Sequence, residues 1–300
     1  MSGPKPIRAA TPARPADAPR RLWPRVFGAL RDELDARIAR IPTRLNRYGF
    51  DAFGLEPALS RRLTLPMIWV YRHYLRVETR GIERVPEGRA LLIANHAGNT
   101  FAWDAAMLAV AMLLEAEPPR IVRGMGEYYL PTLPFFNVWM QRAGSVVGTP
   151  ENCAQLLAHG EAIMVFPEGA RGFVKTFRHR YELQRFGLGF MRLALSTRTP
   201  IVPVGIVGGE EQSPGIANLS GVGRLLGAPV FPVTLTFPWL GLAGFVPLPV
   251  KFRLHFGRPL QFEGDPDEDD AAVEAKVEVV KEAIQALVAD GLAARTSWFS

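Results

Sequence analysis

Residues 91–108 read LLIANHAGNTFAWDAAML, and between Arg89 and Glu115 the only ionisable residues are His96 and Asp104. The short continuous apolar run from Ala90 to Ala94 is what a strand buried on both faces looks like, and the apolar stretch from Ala105 to Leu114 has the length of a helix. The irregular AGNTFAW segment between them is a loop. A strand that passes through a loop into a helix is the repeating unit of an α/β sheet, so this one segment sets the fold class.

Further apolar runs at Ala162 to Phe166 and Ile201 to Val207, with a helix-like stretch at Gly187 to Ser196, repeat the pattern. The expected architecture is α/β: a central mixed sheet flanked by helices, occupying residues 78–300, with an N-terminal helical extension over residues 20–77. Three hundred residues, 48 % hydrophobic and 21 % charged, are enough for one large domain with a proper core.

Charge is unevenly spread. Residues 1–50 hold eleven Lys/Arg against four Asp/Glu, whereas the remaining 250 are close to neutral although the chain as a whole carries +6. Such a basic end points to an anionic partner, phospholipid headgroups or nucleic acid. Residues 1–19, with five prolines and no apolar h-region, read as a disordered tail rather than a secretory signal. From Arg20 to Arg47 apolar residues such as Leu30, Leu34 and Ile38 recur every three or four positions with arginines between them. That is a basic amphipathic helix, bent near Pro42, which either lies on an anionic membrane or packs on its own domain.

Leu225 to Val250 contains no charged residue in 26 positions, long enough to cross a bilayer, but five prolines and three glycines rule against a continuous spanning helix. Partial membrane contact or buried strands are the two readings of it. The acidic run DPDEDD, residues 265–270, opens an amphipathic closing helix. Cys153 is the only cysteine, so no disulfide framework and no cysteine metal site exist.

Two constellations carry chemistry. A strand ending at Ala94 delivers Asn95 and His96 to the sheet edge, facing a cleft, and the loop allows Asp104 to fold back onto the histidine. A carboxylate on one imidazole nitrogen fixes the tautomer and leaves the other nitrogen to take a proton from a hydroxyl. The second constellation, MVFPEGARG at residues 164–172, runs a strand into a tight loop that presents Glu168 and Arg171 around Gly169. Arginine there would hold a phosphate bidentately, with Glu168 accepting from a substrate hydroxyl or bracing the arginine. The basic series Lys175, Arg178, Arg180 and Arg185 reads as a solvated face, or as a site for the phosphates of a donor or for a membrane surface.

Together with TPIVPVGIVG at residues 199–208, these blocks resemble the glycerolipid acyltransferase superfamily, the PlsC-like enzymes, over roughly Arg89 to Gly257. The resemblance implies His96 as general base, Asp104 as its orienting partner, Glu168, Gly169 and Arg171 as the acceptor site, and Pro203 as part of a block that binds the acyl donor or shapes the site. It implies a fatty acyl chain moved from acyl-CoA or acyl carrier protein, as co-substrate and with no cofactor or metal, to a lysophospholipid or other glycerolipid hydroxyl. It also implies a peripheral or monotopic protein on the cytoplasmic face of a membrane.

This chain departs from the family pattern at three points. Seven residues separate His96 from Asp104 where four are commoner; Gly148, Thr149 and Pro150 stand where the second block carries an arginine; and Ala170 and Gly172 replace Thr and Ser in the third. The missing arginine leaves room for a neutral mono- or diacylglycerol acceptor. Of the competing classes, a lipase lacks a G-x-S-x-G elbow, a silent lipid-binding protein would not need all four site residues, and nucleic-acid binding lacks any motif.

Overall fold

The computed structural model describes residues 22–128, 136–225 and 230–300, so the tail expected over residues 1–19 lies outside the described residues. Helices α1 (Leu22–Ile38) and α2 (Pro57–Trp69) come first, followed by β1 (Glu78–Arg80), β2 (Ala90–Ala94), α3 (Trp103–Leu114) and β3 (Val122–Gly126). Next are α4 (Phe136–Arg142), β4 (Val146–Val147), α5 (Pro150–Ala158), β5 (Ala162–Val165), α6 (Ala170–Phe173) and α7 (Gly189–Thr197). The chain closes with β6 (Ile201–Val207), β7 (Gly215–Leu219), α8 (Ser220–Leu225), β8 (Phe231–Thr234), β9 (Arg253–Phe256) and α9 (Asp270–Ala293).

Seven strands form one mixed sheet in the order β1-β9-β6-β2-β5-β3-β4. β2 lies at the centre, parallel to β5 and β6 on its two sides, while β6 pairs antiparallel with β9 and β1 runs parallel to β9. β7 and β8 form a separate antiparallel pair.

The apolar runs are continuous because helices cover both faces of the sheet. Alternate residues of β2 face opposite layers: Ala90, Leu92 and Ala94 join a core with α1, α2 and α3, whereas Leu91 and Ile93 join a second core with α5, α7 and α9. β5 divides the same way, Met164 to the first layer and Ile163 to the second. α9 buries Val273, Val277, Val280, Ile284 and Val288, the stripe that a helical period dictates. Its close approach to β6 needs Gly205, where a Cβ would stand 2.7 Å from Leu287 Cβ.

The N-terminal helix is shorter than its periodicity implies: α1 ends at Ile38, and residues 42–46 are non-helical. Leu30 and Leu34 are buried in the first core layer, so this apolar stripe packs on its own domain. Its basic side is also partly turned to protein. Arg37 donates to Leu113 O (2.9 Å) and pairs with Glu117, as does Arg40 (2.5 Å), and Arg61 pairs with Asp35. Residues 225–250 contain β8 and a single-turn 3₁₀ helix, Gly241–Phe245, and among the described residues no helix is long and apolar enough to cross a membrane.

Candidate active site

β2, β3, β4, β5 and β6 are parallel, so their C-terminal ends share one edge of the sheet, the place where open α/β sheets bind ligands. His96 follows β2, Glu127 follows β3, Thr149 follows β4, Glu168 follows β5 and Glu210 follows β6.

The loop after β2 is tied down at several points. Asn95 is buried, with its amide donating to Ile206 O (3.0 Å) and accepting from Ile206 N (2.7 Å), so it extends the pairing of β2 with β6 instead of facing a cleft as its place at the strand end implied. Asn99 adopts a positive φ of 58° and its amide donates to Ser213 O (2.9 Å). Asp104 lies in the first turn of α3, where a carboxylate is favoured by the helix dipole. Its Oδ2 meets His96 Nδ1 at 2.7 Å and accepts from Ala97 N at 2.8 Å. The seven intervening residues therefore do not keep the pair apart. Nδ1 is fixed by Asp104, and the imidazole stacks on the ring of Phe166 and contacts that of Phe173, with centroids 4.3 and 5.0 Å away.

Glu168 is 1 % exposed, and both its oxygens are engaged by protein. Oε1 accepts from His96 N (2.9 Å), and Oε2 accepts from Gln184 N (2.8 Å) and lies 3.5 Å from Lys175 Nζ. This carboxylate thus fixes the backbone of the histidine, where a substrate-facing side chain was expected. Its cation is Lys175 rather than Arg171. Arg171 is exposed, its guanidinium donating to Arg185 O (3.3 Å).

Lys175 departs from the solvated face expected of it. It is buried, 2.9 Å from Glu210, while Arg178, Arg180 and Arg185 are exposed. Burial works against its charge, but Glu210 and Glu168 outweigh that and hold its pKa up. Burial pushes Glu210 up to about 7 despite the lysine. The sequence signal for this pair resembles that of Asp104: Glu210 and Glu211 are the only ionisable residues between Arg198 and Arg224.

Gly169 has φ +58°, and a Cβ there would lie 2.6 Å from Glu127 Oε1. The exposed carboxylate of Glu127 thus borders the loop expected to hold the acceptor. Thr149, standing where the family's second-block arginine is missing, caps α5 by accepting from Asn152 N (3.1 Å). Pro203 is buried inside β6, where Gly257 N donates to its carbonyl (2.8 Å) and proline has no N–H to return. It belongs to the sheet. Cys153 is buried on α5 with its thiol pushed up to about 11 by burial, unsuited to nucleophilic work. An apolar groove of about 240 Å³ runs between α2 and α3, lined by Leu63, Met67, Phe101, Val110 and Leu113, so that it shares Phe101 with the loop that carries His96.

A family model described as Acyltransferase matches residues 76–207. An uncharacterised protein of Mycobacterium leprae is 38 % identical over 289 residues, covering 93 % of this chain and 78 % of its own length. A protein of Homo sapiens described as a DGAT1/2-independent enzyme synthesizing storage lipids is 25 % identical over 243 residues, covering 76 % of this chain and 66 % of that protein. Among solved structures, the 1-acyl-sn-glycerophosphate acyltransferase PlsC of Thermotoga maritima aligns with a TM-score of 0.49 and 16 % identity, covering 93 % of this chain and 86 % of that one.

Proposed function

Since this chain belongs to the acyltransferase family, we propose that it transfers a fatty acyl chain from a thioester, acyl-CoA or acyl carrier protein, to a hydroxyl of a glycerolipid at a membrane surface, with His96 as general base. The observation that carries this reading is the 2.7 Å contact of His96 Nδ1 with the buried Asp104 carboxylate. Asp104 holds the tautomer in which Nε2 is the acceptor and stabilises the imidazolium once a proton arrives. The acceptor hydroxyl gives its proton to Nε2 as its oxygen attacks the thioester carbonyl. The tetrahedral intermediate then expels the thiolate, the C–S bond breaks, and the imidazolium returns the proton to sulfur. The apolar groove that shares Phe101 with this loop suits the acyl chain.

Within that reading, three observations favour a neutral mono- or diacylglycerol over a phosphate-bearing acceptor. Arg171 is directed at Arg185 O, Thr149 is occupied as a helix cap, and Glu127 places a negative charge beside Gly169. A phosphate brought there meets a carboxylate of like charge, which disfavours it. The storage-lipid description of the human relative is in keeping with a neutral acceptor.

The test is incubation of the purified protein with labelled acyl-CoA, or acyl carrier protein loaded with the same chain, and a panel of monoacylglycerol, diacylglycerol, lysophospholipid and lysophosphatidate. Lipid mass spectrometry should find acylated glycerolipid, with the acylglycerols preferred. Free fatty acid as the only product would replace transfer by hydrolysis, and preference for lysophosphatidate would overturn the choice of acceptor.

A further inference from the structure

The chain that leaves β6 does not return directly to β9. It makes an excursion through β7, α8, β8 and the 3₁₀ turn at Gly241–Phe245. Single exposed apolar side chains are ordinary on a protein surface. Here, however, ten of the 18 exposed large apolar side chains among the described residues fall within the 32 residues 215–246. Leu242 is 88 % exposed, Leu225 86 %, Trp239 69 % and Leu240 60 %.

These side chains are not exposed because the segment is unformed. β7 and β8 pair from Leu219↔Phe231 to Gly215↔Thr234, and Phe237 packs between Phe231 and Phe245 with ring centroids 5.2 and 4.9 Å away. Trp239 donates its indole N–H to Thr234 O (3.1 Å), so its polar group is satisfied internally. The excursion is braced by these ring contacts and still presents leucines outward.

Its root is stitched to the site. Gln212 Nε2 donates to Gly98 O (3.1 Å), Asn218 Nδ2 to Val174 O (2.6 Å) and Trp103 Nε1 to Phe245 O (3.3 Å). These bonds hold the excursion beside both the His96–Asp104 loop and the segment that follows Glu168.

We infer that this surface, formed by residues 216–225 and 231–246, is the membrane-docking face of the protein, and that it seats the His96 edge of the sheet against lipid by apolar insertion rather than by attraction of arginines to anionic headgroups. The choice of lipid as occupant rests on the glycerolipid reading above. Charge also favours it. Between Glu211 and Lys251 the only charged residue is Arg224, so the surface lacks the mixed charges of a protein–protein rim. The other candidate anchor, α1, has Arg37 and Arg40 committed to Glu117 and to the end of α3.

The experiment is sedimentation of the full chain with phosphatidylcholine vesicles, which carry no net charge, at low and high salt. Wild type should bind at both salts, because apolar insertion is not screened. Leu240→Asp with Leu242→Asp should weaken binding roughly 100-fold, and Leu225→Asp alone roughly tenfold, given the burial free energy of a leucine. Val279→Asp, at an exposed apolar side chain on α9, should bind as wild type does. An unchanged thermal transition checks that each variant is folded. Wild-type affinity in all the aspartate variants, or binding that needs anionic lipid and vanishes at high salt, would overturn the inference. So would a dimer in vesicle-free solution that these substitutions dissociate while vesicle binding persists, since a second copy would then be the occupant. Because the assay reads binding without turnover, loss of the acyltransferase reading and loss of the docking face are separate results.

Discussion

Two regions leave the same edge of the sheet and carry opposite chemistry. The loop after β2 and the turn after β5 are held by directional bonds among buried charges: His96 to Asp104, Glu168 to the His96 backbone, and Lys175 between Glu168 and Glu210. The excursion after β6 has almost no charge and leaves its leucines and Trp239 in solvent. The first region holds one imidazole in place; the second, in the inference drawn above, meets lipid. On the proposals made above, the difference divides the work of one sheet edge: polar bonds fix geometry where a proton is to move, and apolar exposure supplies attraction where no fixed geometry is needed.

The sharpest way to break the contrast is at the imidazole. His96→Ala should lower kcat by roughly 10²- to 10⁴-fold while leaving vesicle binding near wild type, read by acyl-transfer assay and sedimentation in parallel. Near-normal transfer would remove His96 from the chemistry.

Next in size is the cation under the loop. Lys175→Met leaves Glu168 and Glu210 buried without their shared partner, so the folded state should lose about 3–5 kcal/mol in urea titrations. If stability is unchanged, the buried network does not hold the site.

Glu210 gives a subtler effect that depends on pH. Its pKa rises from 4.5 in the unfolded chain to about 7 in the fold, so the native state binds the extra proton between those values. Its contribution therefore favours folding at low pH and is progressively lost as pH rises from about 4.5 to about 7. Thermal scans of Glu210→Gln, which keeps the neutral form throughout, should gain on wild type across that window, and a constant difference would contradict the burial argument.

The smallest effect is expected at Arg171. Exposed and, among the described residues, bonded to Arg185 O at 3.3 Å, Arg171 replaced by Ala should change stability by about 0.5 kcal/mol or less. Transfer to phosphate-bearing and neutral acceptors should fall in equal proportion. A loss confined to phosphate-bearing acceptors would show that the guanidinium swings into the site and would reopen the choice of acceptor.

Much of the framework was legible from the chain. The apolar runs at Ala90–Ala94 and Ile201–Val207 are the strands β2 and β6 to the residue, and α3 begins two residues before the stretch that announced it. Runs buried on both faces need no partner-specific pattern to be seen. Lys175 was not legible, because it stands in a basic series whose other members are exposed. What buries it is a pair of carboxylates from the ends of β5 and β6, and that pairing exists only once β2 has brought those strands to its two sides. The direction of the Arg171 side chain, toward Arg185 O, was not legible either, since a position in a motif says nothing about where a side chain points.

Sequence alone determined the alternation of strand and helix, the isolation of His96 and Asp104 within apolar surroundings, and the charge-free stretch from Leu225 to Val250. Each of these is set by local composition and period, which the chain carries whether folded or not. Tertiary structure decided that α1 packs on its own domain, that Glu168 braces the histidine backbone, and that Leu225, Leu235, Trp239, Leu240 and Leu242 of the charge-free stretch stand outward. These outcomes depend on which distant groups arrive within a few ångströms of one another, and hydrogen bonds and ion pairs act only at that range.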